Sequence, residues 1–379
     1  MPAETLHAHD GQADADWLDR AASALRDGAL VIIPTETVYG VAASALSERA
    51  IARLRTLKPD VGSQPLTVHL SCGSDAADYL NDPTPLMRRF SRKIWPGPVT
   101  LICAVESPAE TAAAKRFGLA KLDAVFGPNR VALRCPQHAL TQRLLGMVAG
   151  PIVAAAASTG GRPAPTTFED AHRSLGEFVD LAISAGRTRL AATSTTVEIV
   201  GNDWAVRREG ALDERAIRRA ATSEVLFVCT GNSCRSPIAE YLFRDALAKR
   251  LEVKGSELRR RGYAVSSAGT FAPSGGLMSR GSAAELERRG IQATMHRSQP
   301  LTPELVQRCE RIYVMSGEHR ESVIDLVPSA ASRVTLLDEP RSVTDPVGGD
   351  ASEYRQCAEQ IERAVLRRVE EFVHEDQHW

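Results

Sequence analysis

Two hydrophobic rhythms alternate along this chain. Short apolar runs read as strands at residues 29–33, 65–70, 99–105, 131–134, 152–156 and 225–228. Between them, residues 47–57 carry a helical period. After the last run, Ile238, Leu242, Ala246 and Leu251 fall on about one helical face. Short strands alternating with helices predict an α/β fold in both halves. The charged, alanine-rich stretch 211–221 has neither Gly nor Pro, so it is expected to be a connecting helix with a solvated arginine face. A chain of 379 residues is long for one core, and the boundary is expected at 210–223, giving units over 1–212 and 223–379. Thr35 and Thr37, between a strand end and a helix, read locally as helix caps.

One polar loop changes this picture from fold to chemistry. Residues 229–237 read Cys-Thr-Gly-Asn-Ser-Cys-Arg-Ser-Pro, after a strand and before a helix. Amide N–H groups of such a loop and of the helix N-terminus point inward and attract a dianion. A cysteine at the start of that pocket is expected as thiolate, the nucleophilic form. An arginine six residues later can grip two phosphoryl oxygens with its planar fork. Pro237 suits the first helical turn. Cys229 is therefore the expected nucleophile and Arg235 the phosphate clamp. The spacing of Cys229 and Cys234 is not a usual zinc pair and no second Cys/His pair lies nearby, so no metal is expected.

Composition narrows the class. A net charge of −1 argues against a basic nucleic-acid-binding protein as a whole. The 7 cysteines are scattered, without the spacing of a secreted disulfide framework. Residues 1–16 lack the basic start and apolar stretch of a signal peptide, and no apolar run reaches membrane-spanning length. The expected compartment is the cytoplasm, where a reactive thiolate stays reduced.

From about residue 224 to the end, the chain resembles the low-molecular-weight protein tyrosine phosphatase family. Residues 228–237 look like its phosphate loop, Ser267-Ala268-Gly269-Thr270 like its Ser-Ala-Gly turn, and Asp345-Pro346 like its general-acid loop. The resemblance implies a doubly wound parallel sheet, a phosphoprotein substrate and no cofactor. It implies that Cys229 attacks phosphorus while Arg235 and the loop amides, over Thr230, Gly231 and Ser233, stabilise the equatorial oxygens. Asp345 then serves as general acid and afterwards as base. Ser236 maps to the serine that bonds the thiolate and Asn232 to the residue that shapes the loop. Cys234 maps to a thiol that can trap Cys229 as a reversible disulfide.

The substrate stays open between two classes. Tyrosine-specific members carry a bulky apolar residue in the loop and aromatics after the Asp-Pro pair. Here those places hold Ser233 and Val347-Gly348-Gly349-Asp350. That departure is similar to the bacterial branch that removes phosphate from arginine, and Asp350 at the rim is expected to attract a guanidinium. A third branch reduces arsenate through relay cysteines; Cys309 and Cys357 are far apart in sequence and do not look like such a pair.

The front half resembles the threonylcarbamoyl-adenylate synthase, or YrdC-like, family. The matching segments are Pro34-Thr35-Glu36-Thr37-Val38-Tyr39-Gly40, Leu57-Lys58, Pro65-Leu66-Thr67-Val68-His69, Trp95-Pro96-Gly97-Pro98-Val99-Thr100, Arg134-Cys135-Pro136, Ser194-Thr195-Thr196-Val197 and Arg208-Glu209-Gly210. The resemblance implies a twisted sheet with helices and a reaction of ATP (with magnesium), bicarbonate and L-threonine. It also implies partners in transfer-RNA modification, with double-stranded RNA as a binding class. Thr37 and His69 carry over as threonine contacts; Lys58, Arg134, Ser194 and Arg208 carry over as nucleotide contacts. The family's Lys-x-Arg and Ser-x-Asn are altered: Lys58 stands, Asp60 replaces the arginine, and Ala156-Ala157-Ser158 replaces the triplet. A carboxylate in place of a phosphate-facing cation reverses the local field. Arg53, Arg55 and Arg162 are the candidates to compensate. Three arrangements stay open: two active enzymes, a phosphatase with a synthase domain that binds without turnover, or a front half that only scaffolds or regulates. The departures favour the last two.

Overall fold

The computed structural model describes residues 3–7, 15–59, 62, 64–159 and 161–377. Two compact units divide between Ala220 and Ala221. The expected connecting helix forms as Glu214–Ala221 and belongs almost wholly to the first unit.

The first unit is built on one mixed sheet. Its strands lie in the order Glu4–His7, Leu181–Ser184, Val31–Ile33, Gly40–Ser44, Ile152–Ala156, Thr67–His69, Arg130–Arg134, Val99–Ala104, Thr195–Val200 and Asp203–Arg208, with Phe126–Gly127 beside Arg130–Arg134. Helices Ala15–Arg26 and Ala139–Met147 bury Leu18, Leu25, Leu140 and Leu144 against Val31, Ile33 and Ile152. Strand register sets the site: His69 pairs with Ile152 on one side and Arg134 on the other, and Gly40 pairs with Ala156. Helix Glu48–Leu57 starts at Ser47, whose Oγ accepts the Ala50 N–H at 3.2 Å. Thr35 and Thr37 cap no helix. Thr35 Oγ1 accepts from the N–H groups of Thr37 (3.2 Å) and Val38 (3.3 Å), and the tight loop runs on into the strand Gly40–Ser44.

The second unit is a four-stranded parallel sheet in the order Tyr263–Gly269, Ser223–Cys229, Arg311–Val314, Val334–Leu336. The central strand alternates its side chains between two cores. Val225, Phe227 and Cys229 face a cluster with Phe243, Leu286, Ile361 and Phe372, supplied by helices Arg235–Arg250, Arg280–Arg288 and Ala351–Gln377. Leu226 and Val228 face Val306, Ile312 and Val323, under helices Pro303–Arg308 and Gly317–Leu326. Both faces are covered, so the sheet is doubly wound, as expected. The strand order reverses at Ser223–Cys229, and its C-terminal end is where such sheets open a ligand crevice. Helix Arg235–Arg250 buries Ile238 and Leu242 as its period predicts. It also buries Ala239, Phe243 and Leu247, because the C-terminal helix packs on it.

Candidate active site

Cys229 ends the central strand at that crevice, with its Sγ 3.0 Å from Ser236 Oγ. The loop between them turns on Asn232, which has φ +48°. Asn is among the few side chains that enter this left-handed region at little cost. Its buried amide donates to Ser236 Oγ (3.0 Å) and Ser267 Oγ (2.8 Å), while Oδ1 accepts the Gln299 N–H (2.9 Å). Ser267 Oγ passes its proton on to Glu240 Oε2 at 2.7 Å. Burial raises the Glu240 carboxyl above the ordinary range, against the pull of Ser267 and Arg244. With Ser267 and Asn232 so engaged, the Ser236 hydroxyl faces a choice between Cys229 Sγ and the Ala268 carbonyl (3.3 Å), and a thiolate would win its proton. Gly269 of the Ser-Ala-Gly turn is required by space: a Cβ there would lie 2.4 Å from Thr230 O and 2.8 Å from Asn232 N.

Arg235, the first residue of the helix, is only 6% exposed. Its Nη2 pairs with Asp345 and reaches Thr230 Oγ1 at 3.4 Å, and Nη1 donates to Val343 O at 3.4 Å. Its Nε is buried and has no hydrogen-bond partner among the described residues. The structure thus brings Cys229, Arg235 and Asp345 into one site, although Asp345 follows them by more than a hundred residues. Asp345 remains partly exposed and accepts the Val347 N–H at 3.2 Å, which fixes the bend after Pro346. Asp350 is exposed, and its Oδ1 caps the C-terminal helix, accepting from Ser352 N (2.7 Å) and Glu353 N (3.1 Å).

Three neighbours escaped the sequence reading. The His319 ring bridges Thr230 Oγ1 (2.9 Å from Nε2) and Ser316 Oγ (2.7 Å from Nδ1). Burial, then the Arg235 charge, lower its pKa to about 4. Tyr354 OH lies 3.7 Å from Cys234 Sγ, so an aromatic does reach the loop, from the C-terminal helix rather than from the acid loop. Phe271 is 83% exposed, and its N–H donates to Thr230 O at 3.0 Å. Ser233 is half-buried beside Cys234, with its carbonyl held by the Ser279 N–H. All seven cysteines are free. Cys309 and Cys357 sit in the two opposite cores, and burial pushes each thiol up to about 12, which leaves no outward relay.

The first unit holds a cavity of about 290 Å³ walled by Lys58, His69, Arg134, Ser194 and Arg208 together with Thr35. Arg208 Nη2 donates to Ser194 O (3.0 Å), and the Ser194 hydroxyl is 3.0 Å from Thr100 Oγ1. Arg134 is buried against Glu36 (2.9 Å) and Thr37 Oγ1 (2.6 Å), while its Nε has no partner among the described residues. Thr37 is therefore not a wall residue: it is fully buried, occupied by Arg134 and Thr35, and Thr35 takes the place facing the cavity. Lys58 Nζ donates to the Ser158 carbonyl at 2.7 Å, so the altered triplet still contributes through its backbone. Burial, then Arg134, lower the pKa of His69 to about 3, and the same two causes lower that of Arg208. Arg53 is bound to Asp180, Arg55 to the Gly62 and Gln64 carbonyls, and neither these nor Arg162 lines the cavity. Asp60 lies outside the described residues. Among the described lining residues there are three cationic side chains, of which Arg134 is paired with buried Glu36, and no carboxylate. Among the described residues no cluster of His, Cys, Asp or Glu could hold a metal ion, and no helix is long and apolar enough to cross a membrane.

Comparison with known proteins divides the chain the same way. The family of Sua5, YciO and YrdC, described as telomere recombination, matches residues 23–210. The family described as low molecular weight phosphotyrosine protein phosphatase matches residues 224–378. A protein-arginine-phosphatase of Geobacillus stearothermophilus is 31% identical over 153 residues, 39% of this chain and 95% of that protein. A threonylcarbamoyl-AMP synthase of Pyrococcus abyssi is 27% identical over 253 residues, 65% of this chain and 71% of that protein. Among solved structures, the YwlE arginine phosphatase from Geobacillus stearothermophilus is 29% identical, with a TM-score of 0.35 over 40% of this chain and 94% of that chain.

Proposed function

This chain belongs, over its second half, to the low molecular weight phosphotyrosine protein phosphatase family and carries a Sua5/YrdC-like domain before it, and we propose that its reaction is the hydrolysis of phosphoarginine on proteins. The observation that carries this reading is the meeting of Cys229 Sγ, bonded to Ser236, with the Arg235–Asp345 pair at the mouth of one loop. The phosphoryl dianion takes over the Arg235 fork from Asp345, which frees the acid for the leaving group. Cys229 sulfur attacks phosphorus; the S–P bond forms as the P–N bond to the guanidine breaks, and Asp345 gives its proton to that nitrogen. Water then attacks the phosphocysteine, leaves a proton on Asp345 and returns the thiolate, releasing inorganic phosphate. Loop amides and Arg235 hold the equatorial oxygens throughout. No cofactor enters these steps.

The preference for arginine is supported by Ser233 in the loop, Val347 after the acid, and the likeness to a relative named for that substrate. A polar pocket wall discriminates more strongly than an apolar one, because it penalises a ligand that leaves its hydroxyl unpaired. Side-by-side turnover of phosphoarginine and phosphotyrosine peptides tests the assignment. The expected kcat/KM ratio favours phosphoarginine by about 100-fold or more. A ratio favouring phosphotyrosine overturns the substrate and leaves the reaction class standing.

The cavity of the first unit supports a second role. Lys58, Arg134 and Arg208 fit a polyanion such as the triphosphate of ATP, and L-threonine and bicarbonate are the co-substrates of the resembled reaction. The described wall offers magnesium no carboxylate, so that ion enters only as a passenger of the triphosphate. With Ala156 where the family has a polar side chain, the unit binds nucleotide and turns it over slowly. Transfer-RNA modification partners belong to the same reading.

A further inference from the structure

We infer that His319 is a positioning residue for the phosphatase reaction, acting through the Thr230 hydroxyl to hold the Arg235 guanidinium where the phosphoryl group arrives. The inference rests on the phosphatase reading and adds a residue to it. Arginine carries donors only, so Thr230 Oγ1 must accept the contact from Arg235 Nη2. The single Thr230 hydroxyl proton is then available for His319 Nε2, 2.9 Å away. Where that proton is used, Nε2 accepts and Nδ1 donates to Ser316 Oγ at 2.7 Å; the second lone pair of Thr230 Oγ1 equally admits the opposite tautomer, in which Nε2–H donates to it and Ser316 donates to Nδ1. Either neutral tautomer closes both ring contacts, and a buried side chain with both ring nitrogens engaged has little freedom to turn. Ser316 begins helix Gly317–Leu326, and its hydroxyl makes no backbone cap. The ring is thus fixed to a rigid element while it steadies a loop.

The charged groups that face the imidazole are Arg235 from the loop helix, Asp345 from the acid loop and Glu318 on its own helix. Burial and Arg235 favour the neutral ring, with a pKa of about 4. Below that value both ring nitrogens carry protons, neither can accept a hydrogen bond, and a second cation stands beside Arg235. The hold is complete above the titration and is lost as the pH falls through it. Arg235 Nε, buried and without a partner among the described residues, marks the edge of the fork left for an oxyanion.

Steady-state hydrolysis of p-nitrophenyl phosphate by the full chain tests this. His319→Ala should lower kcat by about 10- to 100-fold, the penalty of a misplaced catalytic group, with KM changed far less. His319→Gln, whose amide can reach Thr230, should recover most of the loss. Thr230→Val should reproduce the His319→Ala loss, and the double variant should lose no more than either single one. The ratio of unmodified to His319→Gln activity should stay level at neutral pH and drop as the pH approaches about 4. Full kcat in His319→Ala, multiplying losses in the double variant, or a pH-independent ratio would each overturn the inference. Should His319→Ala fail to fold, full activity in Thr230→Val overturns it alone. Cys229→Ser separates the two levels: residual turnover there rejects the phosphatase reading, whereas a dead Cys229→Ser beside an unaffected His319→Ala rejects only His319.

Discussion

Arg235 shows how much of this chemistry rests on the shape of one side chain. Its fork makes three contacts, to Asp345, Thr230 and Val343, and keeps Nε buried without a partner among the described residues. A lysine would keep the charge and lose the planar pair of donors. Arg235→Lys should therefore cost about 100- to 1000-fold in kcat on an aryl phosphate, the range for removing one preorganised donor to developing negative charge. Rate measurements that found the lysine enzyme within a few-fold of the original would show that a point charge suffices. Asn232 is a second case of shape deciding. A left-handed turn, two donated bonds and one accepted bond coincide at that residue, and only Asn meets all of them with so short a side chain.

At the scale of elements, the site is the place where two strands end side by side. Ser223–Cys229 and Tyr263–Gly269 pair in register, with Cys229 opposite Gly269. The phosphate loop folds back over that glycine so closely that a methyl group would meet two backbone atoms. Gly269→Ala should therefore destabilise the second unit by about 1–3 kcal/mol, the usual cost of overpacking, and displace the loop. The expected readout is a lower urea midpoint for loss of phosphatase activity; an unchanged midpoint would mean that the loop has room to give. These elements were legible in the sequence because strand, loop and helix are contiguous there, and each constrains the next. His319 and Tyr354 were not legible. They stand 89 and 120 residues from the loop positions they touch, and only the folded sheet brings them back. The edge strand Glu4–His7 was equally hidden, since four residues carry too little periodicity to read. The motif names both threonines, and only the folded turn shows that Thr35 lines the cavity while Thr37 lies behind it against Arg134.

For the whole molecule, two units with different chemistries share one chain. The second unit has a thiol, a guanidinium and a carboxylate in one mouth, the first a cavity whose described lining carries three cationic side chains. Their sequences diverge from their relatives differently. The phosphatase unit keeps Cys229, Arg235 and Asp345 and departs at Ser233 and after Pro346, whereas the front unit keeps Lys58, Arg134, Ser194 and Arg208 but places Ala156 in the wall. On the proposed reading, binding and turnover are separable in the front unit, because cations attract a triphosphate while lost polar contacts penalise the transition state. Full-length protein supplied with ATP, L-threonine and bicarbonate should bind the nucleotide and release pyrophosphate slowly; rapid release would show a complete synthase site. Which fold each half adopts was legible from periodicity and motifs. Whether the cavity survives its substitutions was not, because Lys58 is held by a backbone carbonyl that no side-chain pattern encodes.

The claim beneath all of this is that Cys229 sulfur becomes covalently bonded to phosphorus. Acid quenching of the full chain during turnover of p-nitrophenyl phosphate, followed by mass analysis of its peptides, addresses that bond directly. The predicted result is one added phosphoryl group on the peptide carrying Cys229, absent from Cys229→Ser. A phosphoryl group on any other residue, or sustained turnover by Cys229→Ser, would contradict it.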